Sequence, residues 1–437
     1  MRRFNRYGNR FSLRSISNAS WYSILIVISL FSFNSDGLVR SAAFPQATSL
    51  SADLSAETTH ELTTLEKHLY EAKLADGETA LRLELDERPK DDNVRFSLGA
   101  LQFFRAIENA GQALYEYGAL SNRLSDPILR LKVPQNDNPS ELSDEEFGRV
   151  LDAFRNDLLT AERTLAEIQD DQVKISIQLA NVTLRIAPTQ EGTISLTKWM
   201  QDIRIDVPAF LARNPELEIH FDRGDVPWIR AYCHAVCAFI ELYRSIDEKT
   251  GFEDRFKGVF PKLKPSETKR EEQWVFMLKI KDTSRLRLAR EHLIAVCQLN
   301  QESWKHIRLE TDDDFEWLSH PGQTDQLGLP ITNEQIDAWL GMMTQIEGLL
   351  TGERLISGDI LKMLNPKYDN RDGLNLRKVL DNPPEDLFNI TRIQSEGIAP
   401  KYLEKNSDKP KFDIAAIVAV IRLFDGPFGF AQAARMN

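Results

Sequence analysis

From Asp225 to Asp247 the chain reads DVPWIRAYCHAVCAFIELYRSID, and its apolar side chains recur at helical steps on two adjacent rows. Ile229, Cys233, Val236, Ile240 and Tyr243 make one row; Tyr232, Ala235, Phe239, Leu242 and Ile246 make the other. Arg230, His234, Cys237, Glu241, Arg244 and Glu248 leave only a thin polar line. A helix so nearly apolar all round belongs in the middle of a domain. Asp225 is placed to cap it by accepting from the first free N–H groups, and Pro227 falls in the first turn, where a missing N–H costs nothing.

Amphipathic patterns surround this rod. Leu62, Leu65, Leu69 and Ala72 share a face, Gly77 interrupts, and a second short helix stops at Pro89. A third opens after Asp91 and Asp92 and carries Phe96, Leu98, Leu101, Phe104 and Ala106. VPQNDNPSEL, residues 133–142, has the composition of a linker. Beyond it Ser143 and Glu146 form a capping box ahead of the stripe Phe147, Val150, Leu151, Phe154, Leu158, Leu165 and Ile168. A helix over 284–309 has the seam Leu286, Ala289, Leu293, Val296 and Ile307, with Cys297 alongside and Asn300 interrupting. Thr332 and Gln335 cap a further one, whose face includes Trp339 and Met343 and which Gly352 stops. Ile414 to Phe424 is an apolar helix too short to span a membrane, and reads as a docking element.

Residues 172–186 satisfy two periods at once. Val173, Ile175, Ile177 and Leu179 alternate as in a strand, whereas Val173, Ile177, Ala180 and Leu184 share a helix face. The helical neighbourhood favours a helix, and another is expected near Leu196 to Leu211. The pattern as a whole predicts a mainly α fold: an irregular multi-helix bundle of antiparallel helix pairs around a buried central helix, 225–247, with little or no sheet.

Two local stretches resemble known motifs. Pro89-Lys-Asp-Asp-Asn followed by Leu98-Gly99 resembles the joint between two tetratricopeptide repeats, over about 62–111, with Gln102 where the aromatic partner is expected. That resemblance implies helix pairs and a groove for a peptide. APTQEGTISLTK, Ala187 to Lys198, resembles the twelve-residue loop of an EF-hand, with Gly192 sixth and Ile194 eighth. Ala187, Thr189, Glu191 and Lys198 stand where calcium ligands are needed, and a lysine in place of the bidentate carboxylate argues against strong calcium binding there.

The N-terminus changes the picture of where the protein works. A basic region leads to WYSILIVISLFSF, thirteen residues ending at Phe33, and Ser41, Ala42 and Ala43 offer a cleavage site. Residues 1–43 are thus expected to be a signal peptide, 44–133 an N-terminal helical region and 134–437 the main helical domain of an exported, periplasmic or extracellular protein. A membrane contact follows only if that segment stays uncleaved. Without residues 1–43, Lys+Arg falls from 54 to 48 and Asp+Glu from 66 to 65, leaving a balance near −17. A surface this acidic repels phosphate backbones and argues against nucleic acid; a protein or peptide partner stays compatible with it.

The candidate chemistry is sparse. Cys233, Cys237 and Cys297 fit buried apolar positions; a disulfide from Cys297 to one of the other two, or a metal site that includes His234, stays open. ETDDDFEW, Glu310 to Trp317, is the densest acidic cluster, with His320 just beyond. Asp312, Asp314, Glu316 and His320 are the candidate catalytic set of a metal-dependent or carboxylate-based hydrolase, with His220 or His234 brought near by folding. His220, Asp222 and Asp225 also lie close enough in sequence to face one cleft. No Gly-rich phosphate loop, nucleophile elbow or zinc-protease helix occurs, so no cofactor and no metal ligand is assigned, and a non-enzymatic binding protein is the leading expectation.

Overall fold

Side-chain caps start several of the helices. Thr63 and Glu66 close a capping box on α1 (Thr64–Tyr70), which is followed by α2 (Leu74–Glu87); Asp91 accepts from Asn93 and Val94 N–H at the head of α3 (Asp92–Glu116). Ser143 with Glu146 starts α4 (Asp144–Ala166). The computed structural model describes residues 61–120, 133–188, 192–197, 216–247, 252–264, 279–324, 331–369, 371–387 and 390–423. The expected signal segment 1–43 and nearly all of the helix expected near Leu196 to Leu211 lie outside them, as do Thr189, Glu191 and Lys198 of the EF-hand-like loop.

Gly77 does not interrupt its helix but lies inside α2. A Cβ there would come within 2.7 Å of Leu101 and 2.6 Å of His68, so glycine is what lets α2 lie against both neighbours. Gln102 is buried and donates to Glu78 at 3.0 Å while accepting from Thr164 at 2.7 Å, tying α2, α3 and α4 together.

Residues 172–186, expected as a helix, form two short strands instead. β1 (Ile175–Ile177) and β2 (Thr183–Arg185) flank a single 3-10 turn, β3 (Thr193–Ser195) pairs antiparallel with β2, and β4 (Ile219–Phe221) pairs antiparallel with β1. Alternation won because Val173, Ile175 and Ile177 all enter the core while Ser176 stays half-buried opposite His220. Burial of Ile175 adds about 1.5–3 kcal/mol that the helical face of Val173, Ile177, Ala180 and Leu184 would forfeit.

The rod is α5 (Asp225–Ser245), packed between α4 and α6 (Thr283–Ile307). Its cap differs from expectation. Gly224 is the N-cap residue, and Asp225 is the first helical residue, with its carboxylate turned back to accept from Asp222 N–H at 3.1 Å. The polar line of the rod lies in the seams between helices: Arg230 meets Glu162, and Glu241, 0% exposed, meets Arg155 and Arg285. α7 (Asn333–Thr351) opens on the Thr332–Gln335 box and ends at Gly352. It packs on α6, where Asn300, interrupting the apolar seam, accepts from the Trp339 indole at 2.9 Å. The docking helix α8 (Ile414–Leu423) lies on α7. A small antiparallel sheet of β5 (Ile356–Ser357), β6 (Gly373–Leu374) and β7 (Leu403–Glu404) completes the C-terminal part. The fold is mainly α, built of packed helix pairs with a few short antiparallel strands, and among the described residues no helix is long and apolar enough to cross a membrane.

Two hydrophobic clusters form, one running from Leu65 to Phe260 and one from Cys297 to Val420. They divide after the rod rather than at the 133–142 linker, whose Leu142 is fully buried in the first cluster. Trp228 and Trp317 touch both. All three cysteines are buried free thiols, Cys233 and Cys237 in the first cluster and Cys297 in the second.

Candidate metal centre

The acidic run and the head of the rod meet at the junction of the two clusters. His220, in the middle of β4, pairs as a parallel bridge with Glu316: His220 N–H donates to Phe315 O at 3.2 Å and Trp317 N–H to His220 O at 3.2 Å. Trp317 then stacks on Phe221 with ring centres 5.8 Å apart and meets Trp228 edge-on at 5.6 Å. Between Asp314 and Glu316, Phe315 takes φ +58°, a left-handed conformation uncommon for an aromatic residue. That twist sends neighbouring acids in opposite directions: Asp314 is 44% exposed and Glu316 only 3%.

Inside, one carboxylate oxygen each from Asp222, Asp225 and Glu316 lie within 4.8 Å of one another. Asp222 follows β4 directly and accepts from Gly224 N–H at 2.7 Å, which folds the strand end tightly onto α5. A Cβ on Gly224 would come within 2.9 Å of Glu310 and 2.6 Å of Ile307, so the turn needs a glycine to admit Glu310 beside the triad. Glu310 is further held by Gln323, which donates to it at 3.1 Å. Asp225 is 2% exposed, and its Oδ1 has no hydrogen-bond donor; Glu316 Oε1 is likewise buried without one. Burial pushes every member of the group upward, and mutual repulsion adds to it: Glu310 reaches about 9 and Glu316 about 8, each raised further by Asp222, while Asp225 rises well above the ordinary carboxylate range. Four acids in so small a space hold either protons or a cation.

Asp312 and Asp314 stand outside this group, at the rim. Both accept from Lys174, at 2.9 and 3.1 Å, and Lys174 Nζ reaches to 3.7 Å from Glu316. Burial works against the lysine charge, but these carboxylates outweigh it and hold its pKa above the ordinary lysine value. His220 Nδ1 lies 3.3 Å from Asp314. His320 accepts from Gly322 N–H at 2.9 Å and lies 3.3 Å from the Glu310 carbonyl, so it braces the loop and does not enter the acid group. Of the expected catalytic set, folding therefore brings Glu316 into the centre, puts Asp312, Asp314 and His220 around it, and leaves His320 behind it. A cavity of about 370 Å³ beside His320 is lined by Ser319, Pro321, Gln323 and the start of α7, and by none of the clustered acids.

His234 takes no part. It is nine residues beyond Asp225, roughly 13 Å of helical rise, and its Nδ1 lies 2.8 Å from that of His292 on α6, with Glu162 at 3.5 Å from its Nε2. Burial depresses His292 to about 4, with His234 and Arg155 adding to the shift and Glu162 opposing it. A folded value below the ordinary 6.5 means that the unfolded chain binds the proton more tightly. The His292 contribution to stability should therefore be flat above pH 6.5 and fall between 6.5 and 4, by on the order of 2 kcal/mol after discounting for partial exposure, superimposed on the opposite trend from the raised Glu310 and Glu316. Urea midpoints measured across that range should lose this limb in His292→Gln.

Sequence spacing missed Glu310 and Lys174 as members of the site; of His220, Asp222 and Asp225, which it placed close enough to face one cleft, Asp222 and Asp225 meet in the centre and His220 lies at its edge. The available signal was Asp222-Arg-Gly-Asp225 directly after an alternating strand, a short acidic turn with a glycine in it. No family model matches this chain, and no curated protein and no solved structure matches it.

Proposed function

We propose that this is an exported, non-enzymatic binding protein whose centre at Asp222, Asp225, Glu310 and Glu316 takes a hard divalent cation, calcium in the first place, and so clamps the acidic loop to the head of α5. The observation that carries this reading is Asp225, almost wholly buried, with one oxygen lacking any donor beside two further carboxylates. The donor set is oxygen alone, which suits calcium, magnesium or manganese and not the softer metals. Charge favours it too: Lys174 is shared with the rim acids, and Arg223, next to Asp222, is drawn to Asp171 and Glu302 at 3.7 and 3.6 Å. Export, expected from the first 43 residues, would place the centre where extracellular modules bind calcium at about 10⁻⁴–10⁻³ M. The hydrolase alternative draws on the same Glu316, but substrate would have to reach acids that are 2–3% exposed and absent from the neighbouring cavity wall.

Calorimetric titration of the chelator-treated protein tests the proposal. Calcium should release or absorb heat with saturation, and at a hundredfold excess over Kd should raise stability by about 2.7 kcal/mol. If calcium, magnesium and manganese all leave both heat and melting temperature unmoved, the reading fails.

A further inference from the structure

The rim of the centre carries its own positive charge on a flexible stem. Lys174 immediately precedes β1, and its backbone N–H is fixed by Asn93 Oδ1 at 2.9 Å, so the main chain cannot follow the side chain. The side chain crosses to the acidic loop, 31% exposed, and sets its ammonium among Asp312, Asp314 and Glu316 at 2.9, 3.1 and 3.7 Å. The first two contacts are hydrogen bonds; the third is too long for one, and Glu316 Oε1 remains without a donor. Glu316 thus faces two ways. It is a corner of the inner triad with Asp222 and Asp225 and the innermost wall of the lysine's cage.

We propose that Lys174 is a tethered counter-cation: its ammonium neutralises the outer half of the carboxylate centre and must be displaced, or pushed outward, when a divalent cation enters the inner half. The inference rests on the cation-binding reading above and adds its regulation. A calcium ion bonded to Glu316 at the usual 2.3–2.6 Å would lie within roughly 6 Å of Nζ, close enough for strong repulsion in a largely buried place. The lysine has somewhere to go, because its stem is partly solvent-exposed and its rim partners Asp312 and Asp314 are 52% and 44% exposed. Without the lysine those two acids become additional negative charge facing the ion. The device makes the affinity of the site depend on a competitor that never leaves the protein.

The test compares wild type with Lys174→Met and Lys174→Arg by calcium titration calorimetry on the full chain after chelation. Lys174→Met should bind calcium at least tenfold more tightly and show a larger calcium-induced rise in melting temperature; Lys174→Arg, which keeps the charge, should stay near wild type. Should Lys174→Met fail to fold without calcium, Lys174→Gln retains a donor for Asp312 or Asp314 while removing the charge, and the same tightening is expected. Unchanged or weaker binding in the neutral variants, beside a wild type that does bind, overturns the counter-cation and leaves the cation site standing. Absence of calcium binding in every variant overturns both.

Discussion

Asp225→Asn will remove the response to calcium while leaving the chelated protein folded, and at least as stable as wild type. The amide can reproduce what Asp225 does for the backbone, since a single oxygen accepts from Asp222 N–H at 3.1 Å. It cannot reproduce the second, donor-free oxygen or the negative charge. Losing one charged ligand of so few should weaken binding on the order of a hundredfold or more. In chelator the same change removes the cost of keeping Asp225 protonated, a cost set first by its burial and then by the neighbouring Asp222, Glu316 and Glu310. A gain of about 1–3 kcal/mol is expected there. The two effects have opposite signs, so melting curves with calcium and with chelator should cross over between wild type and variant. A variant that binds calcium as wild type does would falsify the assignment of Asp225.

The largest loss of stability is expected at Glu241, far along the same helix. Its carboxylate is fully buried and receives Arg155 from α4 and Arg285 from α6, the latter at 3.0 Å, while Asp152 takes the remaining hydrogen bonds of Arg285 and Arg244. Glu241→Ala leaves two guanidinium groups facing each other across a seam with one carboxylate fewer. Removal of one partner from a buried pair costs about 3–5 kcal/mol. Because both arginines keep about a fifth of their side-chain exposure, the lower end is expected. Urea unfolding at constant pH measures it; a loss under about 1 kcal/mol would mean that both arginines reach water once Glu241 is gone. Against a typical total of about 5–15 kcal/mol, the expected loss is a sizeable fraction. Glu241→Gln, which preserves an acceptor, should cost less.

The helix starts at Ser143 and Thr332 were legible because a capping box is written in residues three apart and acts on the backbone next to it. So was the burial of Ile229, Cys233 and Ile240, since a rod with almost no polar face has few other places to go. Residues 172–186 were misread because Val173 and Ile177 satisfy both periods, and the partner that decides between them, β4, is more than thirty residues away. Asp225 looked like a cap from its position before an apolar run; what turned its carboxylate elsewhere was Gly224, whose missing side chain lets Glu310 and Ile307 approach.

By itself, then, the order of residues determined that the long segments Asp92–Glu116, Asp144–Ala166, Asp225–Ser245, Thr283–Ile307 and Asn333–Thr351 are helical, where several of them begin, and that the 225–245 rod is interior, because these follow from local periodicity and neighbouring donors and acceptors. Only the tertiary structure decided that Glu316 joins Asp222 and Asp225 while Asp312 and Asp314 stay outside with Lys174. That choice depends on a strand bridge at His220 and a left-handed turn at Phe315, which join residues some ninety positions apart, and no spacing rule reaches across such a gap.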